Sequence, residues 1–176
     1  LCYKKKFKNM SPKDFILKYR PFALTTQEKT GISHLFILAQ AALESGWGTH
    51  APGNMFFGIK APKNTPEHLK QLLKTTEVLP SPDKKNAFPE VLSISERTDG
   101  KFLYIVRDWF RKYNSPEESF THHPQLLSAN KRYAPAMLHK DDPYRLAREI
   151  ANAGYATDPN YAQKLQKIIS LISQNL

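Results

Sequence analysis

The residue whose placement is hardest to explain by stability alone is Glu44. Leu35, Phe36, Leu38, Ala39, Ala42 and Leu43 recur at helical spacing, Ser33 stands at the N-cap position, and Gly46 and Gly48 mark a stop. This pattern predicts a helix buried on most sides that closes on Glu44. A helix C-terminus carries the negative end of the macrodipole, so a carboxylate is disfavoured there and stability alone would select lysine. Burial beside Leu43 and Trp47 adds to the dipole in favouring the protonated form, which is what a general acid working near neutral pH requires. The plain alternative is a solvated last-turn glutamate. Against it stands Ser45-Gly46-Trp47-Gly48, where two glycines leave the backbone open beside an aromatic face of the kind that packs on sugar rings.

Gln40-Ala41-Ala42-Leu43-Glu44-Ser45-Gly46-Trp47-Gly48, followed by Phe57-Gly58-Ile59-Lys60, resembles the signature of the bacterial peptidoglycan glucosaminidases, glycoside hydrolase family 73, found in flagellar-rod hydrolases and autolysins. The resemblance continues in the family's order through Phe110 to Tyr113, Ser115 to Ser119, Asn130 to Tyr133 and Ala153 to Ala162, covering roughly residues 11 to 173. It implies an α+β, lysozyme-like fold with a mainly helical lobe and a small β-hairpin lobe flanking a substrate cleft. It also implies hydrolysis of the β-1,4 bond between N-acetylglucosamine and N-acetylmuramic acid in peptidoglycan, with Glu44 as the general acid. The family's second carboxylate lies in a Thr-x-Glu-aromatic pattern, which Thr75-Thr76-Glu77-Val78 matches except at Val78. The segment from Leu79 to Asp108 is longer than the usual hairpin, so Glu90, Glu96 and Asp99 remain alternatives to Glu77. Tyr133, in the Asn-x-Arg-Tyr motif, is the candidate for orienting a substrate acetamido group or supporting oxocarbenium charge. Trp47, Asn54, Phe57, Tyr155 and Thr157 complete the expected substrate contacts. Packing is the competing reading for Phe57, Ile59, Tyr155, Thr157 and Tyr161, and Met55 departs from the family's second asparagine.

The second carboxylate decides the mechanism. An inverting hydrolase holds its base ~6.5 to 9.5 Å from the acid to admit water, and a retaining one holds its nucleophile at ~5 to 5.5 Å. A 2-acetamido group permits a third route, in which the substrate's own oxygen attacks the anomeric carbon.

The elements that must position these residues are legible along the chain. Ser11, Pro12 and Asp14 open a first helix, whose apolar stripe continues across Pro21, with a kink expected there, to Gly31. Residues 49 to 70 read as loop. Leu72 to Leu79, Val91 to Arg97 and Lys101 to Asp108 have strand character, with Thr98-Asp99-Gly100 a hairpin turn. Ser115-Pro116-Glu117-Glu118, Asp142-Pro143 and Asp158-Pro159 read as starts of later helices. The expected organisation is a basic arm at 1–10 and a single catalytic domain at 11–176, with a β-lobe insertion at about 71–108.

The chain has 176 residues, 40% hydrophobic and 24% charged, which suits one packed domain and excludes wholesale disorder. Its 26 basic against 16 acidic residues give a net charge of +10, attracting polyanions. An anionic wall polymer is therefore a candidate partner alongside glycan strands. Nucleic acid is not expected, since no recognised motif accompanies the charge. One cysteine, Cys2, excludes an internal disulfide. His122-His123 lacks partner ligands, and neither metal nor cofactor is expected. No stretch reads as a membrane span or signal peptide. The expectation is a monomer acting outside the cytoplasmic membrane, with a lipid anchor at Cys2 as a minor alternative. Two rivals remain: a lytic transglycosylase on the same scaffold, and a wall-binding module without catalysis.

Overall fold

The structure is a computed structural model that describes residues 10–176, so the arm expected at 1–10, including Cys2 and Lys4 to Lys8, lies outside the described residues except for Met10. The chain forms two compact units. Residues up to Phe57 and Asn114–Leu176 make the helical unit, and Gly58–Tyr113 make the other.

In the helical unit, α1 (Pro12–Thr30) begins where Ser11 Oγ accepts the Asp14 amide at 3.1 Å, and ends at Gly31, whose φ of 73° needs no Cβ. Pro21 lies inside this helix without dividing it. The second helix, α2 (His34–Ser45), is at most 1% exposed from Phe36 through Ala42. A helix apolar on nearly all sides must be surrounded, and α1 and the later helices Pro143–Asn152 and Tyr161–Ser173 pack on it. Ser33 takes the N-cap position but makes no side-chain cap; its amide donates instead to the Lys140 carbonyl at 2.8 Å.

Four more helices follow: α3 (Pro116–Ala129), α4 (Ala134–Met137), α5 (Pro143–Asn152) and α6 (Tyr161–Ser173). Ser115 caps α3 through the Glu118 amide, and Asp142 caps α5 through the Tyr144 and Arg145 amides at 3.0 Å each. The expected start at Asp158-Pro159 is not observed. Asn160 is the cap residue of α6, while Asp158 accepts the Asn160 amide at 2.9 Å and pairs with Lys164, forming a turn that leads into the helix.

The other unit is a three-stranded antiparallel sheet ordered β1-β3-β2, from β1 (Lys70–Leu79), β2 (Glu90–Glu96) and β3 (Phe102–Arg111). Gly100, at φ 73°, turns β2 into β3 at the expected hairpin. The unit is wider than the 71–108 read from sequence because residues before β1 join the sheet. The Ala61 amide donates to the Trp109 carbonyl at 2.9 Å, and the Arg111 amide to Ile59 at 2.8 Å. Alternation along the central strand puts Tyr104, Val106, Asp108 and Phe110 on one face. Pairing adds Glu77, opposite Tyr104, and Leu73, opposite Asp108, to that face. Among the described residues no helix is long and apolar enough to cross a membrane.

Candidate active site

The backbone after α2 fixes the surroundings of Glu44. Gly46, Trp47 and Gly48 have φ values of 56°, 55° and 78°, three consecutive left-handed residues. That conformation is free for glycine and costs a tryptophan about 1 kcal/mol. Ser45 holds the turn: its hydroxyl donates to the Ala41 carbonyl and accepts the Gly48 amide at 2.9 Å, and the His50 amide donates to the Ser45 carbonyl at 2.8 Å. An added Cβ at Gly48 would also lie a tight 3.3 Å from the Phe15 ring, which would have to give way by a few tenths of an ångström. The Trp47 ring meets Phe15 edge-on at 5.6 Å and stays partly exposed.

Glu44 is met by tyrosines. Tyr161, the first residue of α6, donates its hydroxyl to Glu44 Oε1 at 3.0 Å, and Tyr155, from the turn after α5, bonds the same carboxyl group. The Tyr155 and Tyr161 rings stack at 5.4 Å, and Tyr133 lies 6.0 Å from Tyr155. Burial raises the Glu44 pKa from 4.5 to about 7, against the opposing pull of the two phenol bonds. Burial first, and then the Glu44 charge, hold both Tyr155 and Tyr161 well above the ordinary phenol range, so they are neutral donors. Behind them Gln40 Nε2 donates to Tyr161 Oη at 3.0 Å, and Gln40 Oε1 faces His123 Nε2 at 2.9 Å. Burial, and secondarily His122, push His123 down to about 3, leaving it a neutral imidazole. A carboxyl group that titrates near 7 among neutral donors can release a proton at neutral pH and take it back.

The β unit carries its own carboxylate pair. Lys60 Nζ bonds Glu77 Oε1 at 2.8 Å and Asp108 Oδ2 at 2.6 Å, and sits 4.4 Å from the Phe110 ring centre. Burial acts to lower the Lys60 pKa, but the bonds to Asp108 and Glu77 outweigh it and leave the ammonium above its ordinary value. These three side chains, with Trp109 and the loop residues Asn86 to Pro89, line a pocket of about 750 Å³ within this unit. Tyr104, fully buried, anchors that loop by donating to the Ser81 carbonyl at 2.8 Å and accepting the Lys84 amide at 3.1 Å. Among the described residues no group of three or more His, Cys, Asp or Glu side chains is placed to hold a metal ion.

A sequence profile of the glucosaminidase family, described as mannosyl-glycoprotein endo-β-N-acetylglucosaminidase, matches residues 20–174. The chain belongs to this family. It is 35% identical over 164 residues to the peptidoglycan hydrolase FlgJ of Salmonella typhimurium, covering 89% of this chain and 45% of that protein. The chain thus spans about half the length of the curated relatives it matches. The glycoside hydrolase domain of Salmonella typhimurium FlgJ superimposes with a TM-score of 0.67 at 32% identity, covering 94% of this chain and 90% of that one. A peptidoglycan hydrolase from Sphingomonas sp. A1 gives 0.64 at 27% identity, with coverages of 93% and 92%. The fold class is α+β and lysozyme-like.

In this family member, Glu44, Tyr133 and Tyr155 lie together in the helical unit, while Glu77 stands in the β unit. Thr157 is exposed in the turn before α6. Asn54, at φ 56°, ends the short turn Pro52–Asn54. Phe57, given both as a substrate contact and as a packing residue, is 3% exposed with its ring stacked on His123 at 4.2 Å, which agrees with the packing reading. Of the alternative carboxylates, Glu90 is ion-paired with Arg107 at 3.1 Å, Asp99 with Arg97 at 3.2 Å, and Glu96 ends β2 opposite Phe102. Sequence reasoning passed over Gln40, Lys60 and Asp108. Gln40 had a readable signal, a polar side chain in an apolar helix, which must find partners when buried. Asp108 is the only acid of β3, though no spacing rule links it to Lys60.

Proposed function

We propose that this protein is a peptidoglycan endo-β-N-acetylglucosaminidase that hydrolyses the β-1,4 bond on the reducing side of N-acetylglucosamine, with Glu44 as general acid. The carrying observation is the Glu44 carboxyl, raised to about 7 by burial and held by two neutral phenols. Such a group gives its proton to a departing glycosidic oxygen and, once ionised, is steadied by the same two donors. Family membership and the likeness to the FlgJ glycoside hydrolase domain support the substrate class. Glu77 is the proposed base, its carboxylate held by Lys60 at 2.8 Å, and water is the nucleophile it activates. Tyr133, 6.0 Å from Tyr155, is proposed to orient the acetamido group. A peptidoglycan substrate supports the proposed action outside the cytoplasmic membrane, and the net charge of +10 supports anionic wall polymer as a proposed partner.

Digestion of purified peptidoglycan, read by product mass, tests this. Products ending in reducing N-acetylglucosamine are expected. Anhydro products would replace the proposal with a transglycosylase, and binding without products with a wall-binding module. Glu77→Gln is expected to lower kcat ~100-fold or more if Glu77 activates water. A variant retaining most of its rate would shift that role to the substrate's acetamido oxygen.

A further inference from the structure

Behind Glu44 lie two polar groups that the proposed reaction does not touch. Gln40 is 0% exposed and His123 3% exposed, and burial of an amide and an imidazole is costly unless each is bonded. An apolar pair of similar shape would fill the space at little or no cost in stability, so stability alone does not account for them. What they supply is direction. The Tyr161 hydroxyl has one proton, and it accepts from Gln40 Nε2 at 3.0 Å, so that proton is turned toward Glu44 Oε1, 3.0 Å away. The Gln40 amide presents its N–H to Tyr161 only while its Oε1 accepts from elsewhere, and the acceptor bond comes from His123 Nε2 at 2.9 Å. A neutral His123 fills this role in the tautomer that carries its proton on Nε2. The reverse orientation of the amide would draw the Tyr161 proton onto Gln40 and away from the acid.

We propose that Gln40 and His123 are positioning residues for Glu44: through a one-way chain of hydrogen bonds they hold the Tyr161 hydroxyl as a donor to Oε1, which commits the transferable proton to Oε2. The inference rests on Glu44 being the general acid. The groups facing the chain are few. Tyr155 and Tyr161 meet Glu44, Tyr133 neighbours both phenols, and His123 is faced by His122, the Phe57 ring at 4.2 Å and the Tyr155 ring at 6.0 Å.

The test is a carbon-13 NMR titration of glutamate carboxyl groups in the intact chain, with the Glu44 signal identified by its loss in Glu44→Gln. Removing a donor bond to a carboxylate disfavours the charged form. Gln40→Met leaves the Tyr161 hydroxyl without the amide that fixes and polarises it, so its bond to Glu44 weakens and the Glu44 midpoint is expected to rise by about 0.5 pH unit. Tyr161→Phe should raise it similarly, and Gln40→Met should add nothing in the Tyr161→Phe background. His123→Phe, read the same way, should reproduce the Gln40→Met shift, and it serves if that variant melts below the assay temperature. His123→Gln, which can still donate, should restore the native midpoint. A midpoint unmoved by Gln40→Met, or moved equally with Tyr161 already absent, overturns the proposal. Failure of the catalytic reading appears separately, as peptidoglycan cleavage persisting in Glu44→Gln.

Discussion

Replacing Glu44 by glutamine should stabilise the protein above neutral pH and do little to its stability in acid. A carboxyl that titrates at about 7 when folded, against 4.5 ordinarily, binds more proton in the native state than in the unfolded one across that window. Native stability therefore falls as pH rises through it, at ~1.4 kcal/mol per pH unit, for a loss on the order of 3 kcal/mol. Glutamine carries no charge at any pH, and its amide oxygen can accept the same phenol bonds. At pH 4 both chains present a neutral group and should melt together. By pH 8 the parent has charged a desolvated site and the variant has not. For a chain of this size, ~2 to 4 °C per kcal/mol makes the gap about 6 to 12 °C. Thermal melts of both chains from pH 4 to pH 8.5 in one buffer series measure it. A gap that stays constant with pH would refute the reasoning, because a desolvated carboxyl must reveal itself in this window. The stability given up at neutral pH is what a poised acid requires.

Three further outcomes are expected. With Glu44 titrating at about 7, kcat/KM on purified peptidoglycan should fall above neutral pH as the acid loses its proton, and a profile flat to pH 9 would oppose the assignment. Lys60→Met leaves Glu77 and Asp108, each bonded to the same nitrogen at 2.8 and 2.6 Å, without their shared cation. Glu77 then loses the cation that fixes it, so kcat on purified peptidoglycan should fall about 10-fold; a kcat within about two-fold of the parent would separate Lys60 from the base. Asp142→Ala removes the acceptor for two amides at the start of α5 and should cost about 1 kcal/mol, read as a fall of ~2 to 4 °C in Tm with activity retained below the transition.

Much of the helical unit was legible because its signals are local. Ser11, Ser115 and Asp142 cap the helices they were expected to cap, and Gly31 and Gly46 close theirs. Asp158-Pro159 looked like another start, but the Asn160 amide and Lys164 satisfy the Asp158 carboxylate and the helix begins afterwards. The β unit was less legible. Strand positions were close, yet the non-sequential order β1-β3-β2 and the contribution of Ile59, Lys60 and Ala61 depend on long-range pairing that no local pattern encodes. At the candidate site, Glu44 stood out because a carboxylate at the end of an apolar helix conflicts with the dipole. The packing reading of Phe57 was legible, but not its partner, since the ring that covers it belongs to His123, distant in sequence. The Lys60–Asp108 pair was missed for the same reason.

The central claim is that Glu44 delivers the proton that breaks the glycosidic bond. The most direct measurement is the rate of reducing-end release from purified peptidoglycan at pH 6 by the parent and by folded Glu44→Gln at equal concentration. A loss of ~100-fold or more is predicted, and a variant within a few-fold of the parent would contradict the account.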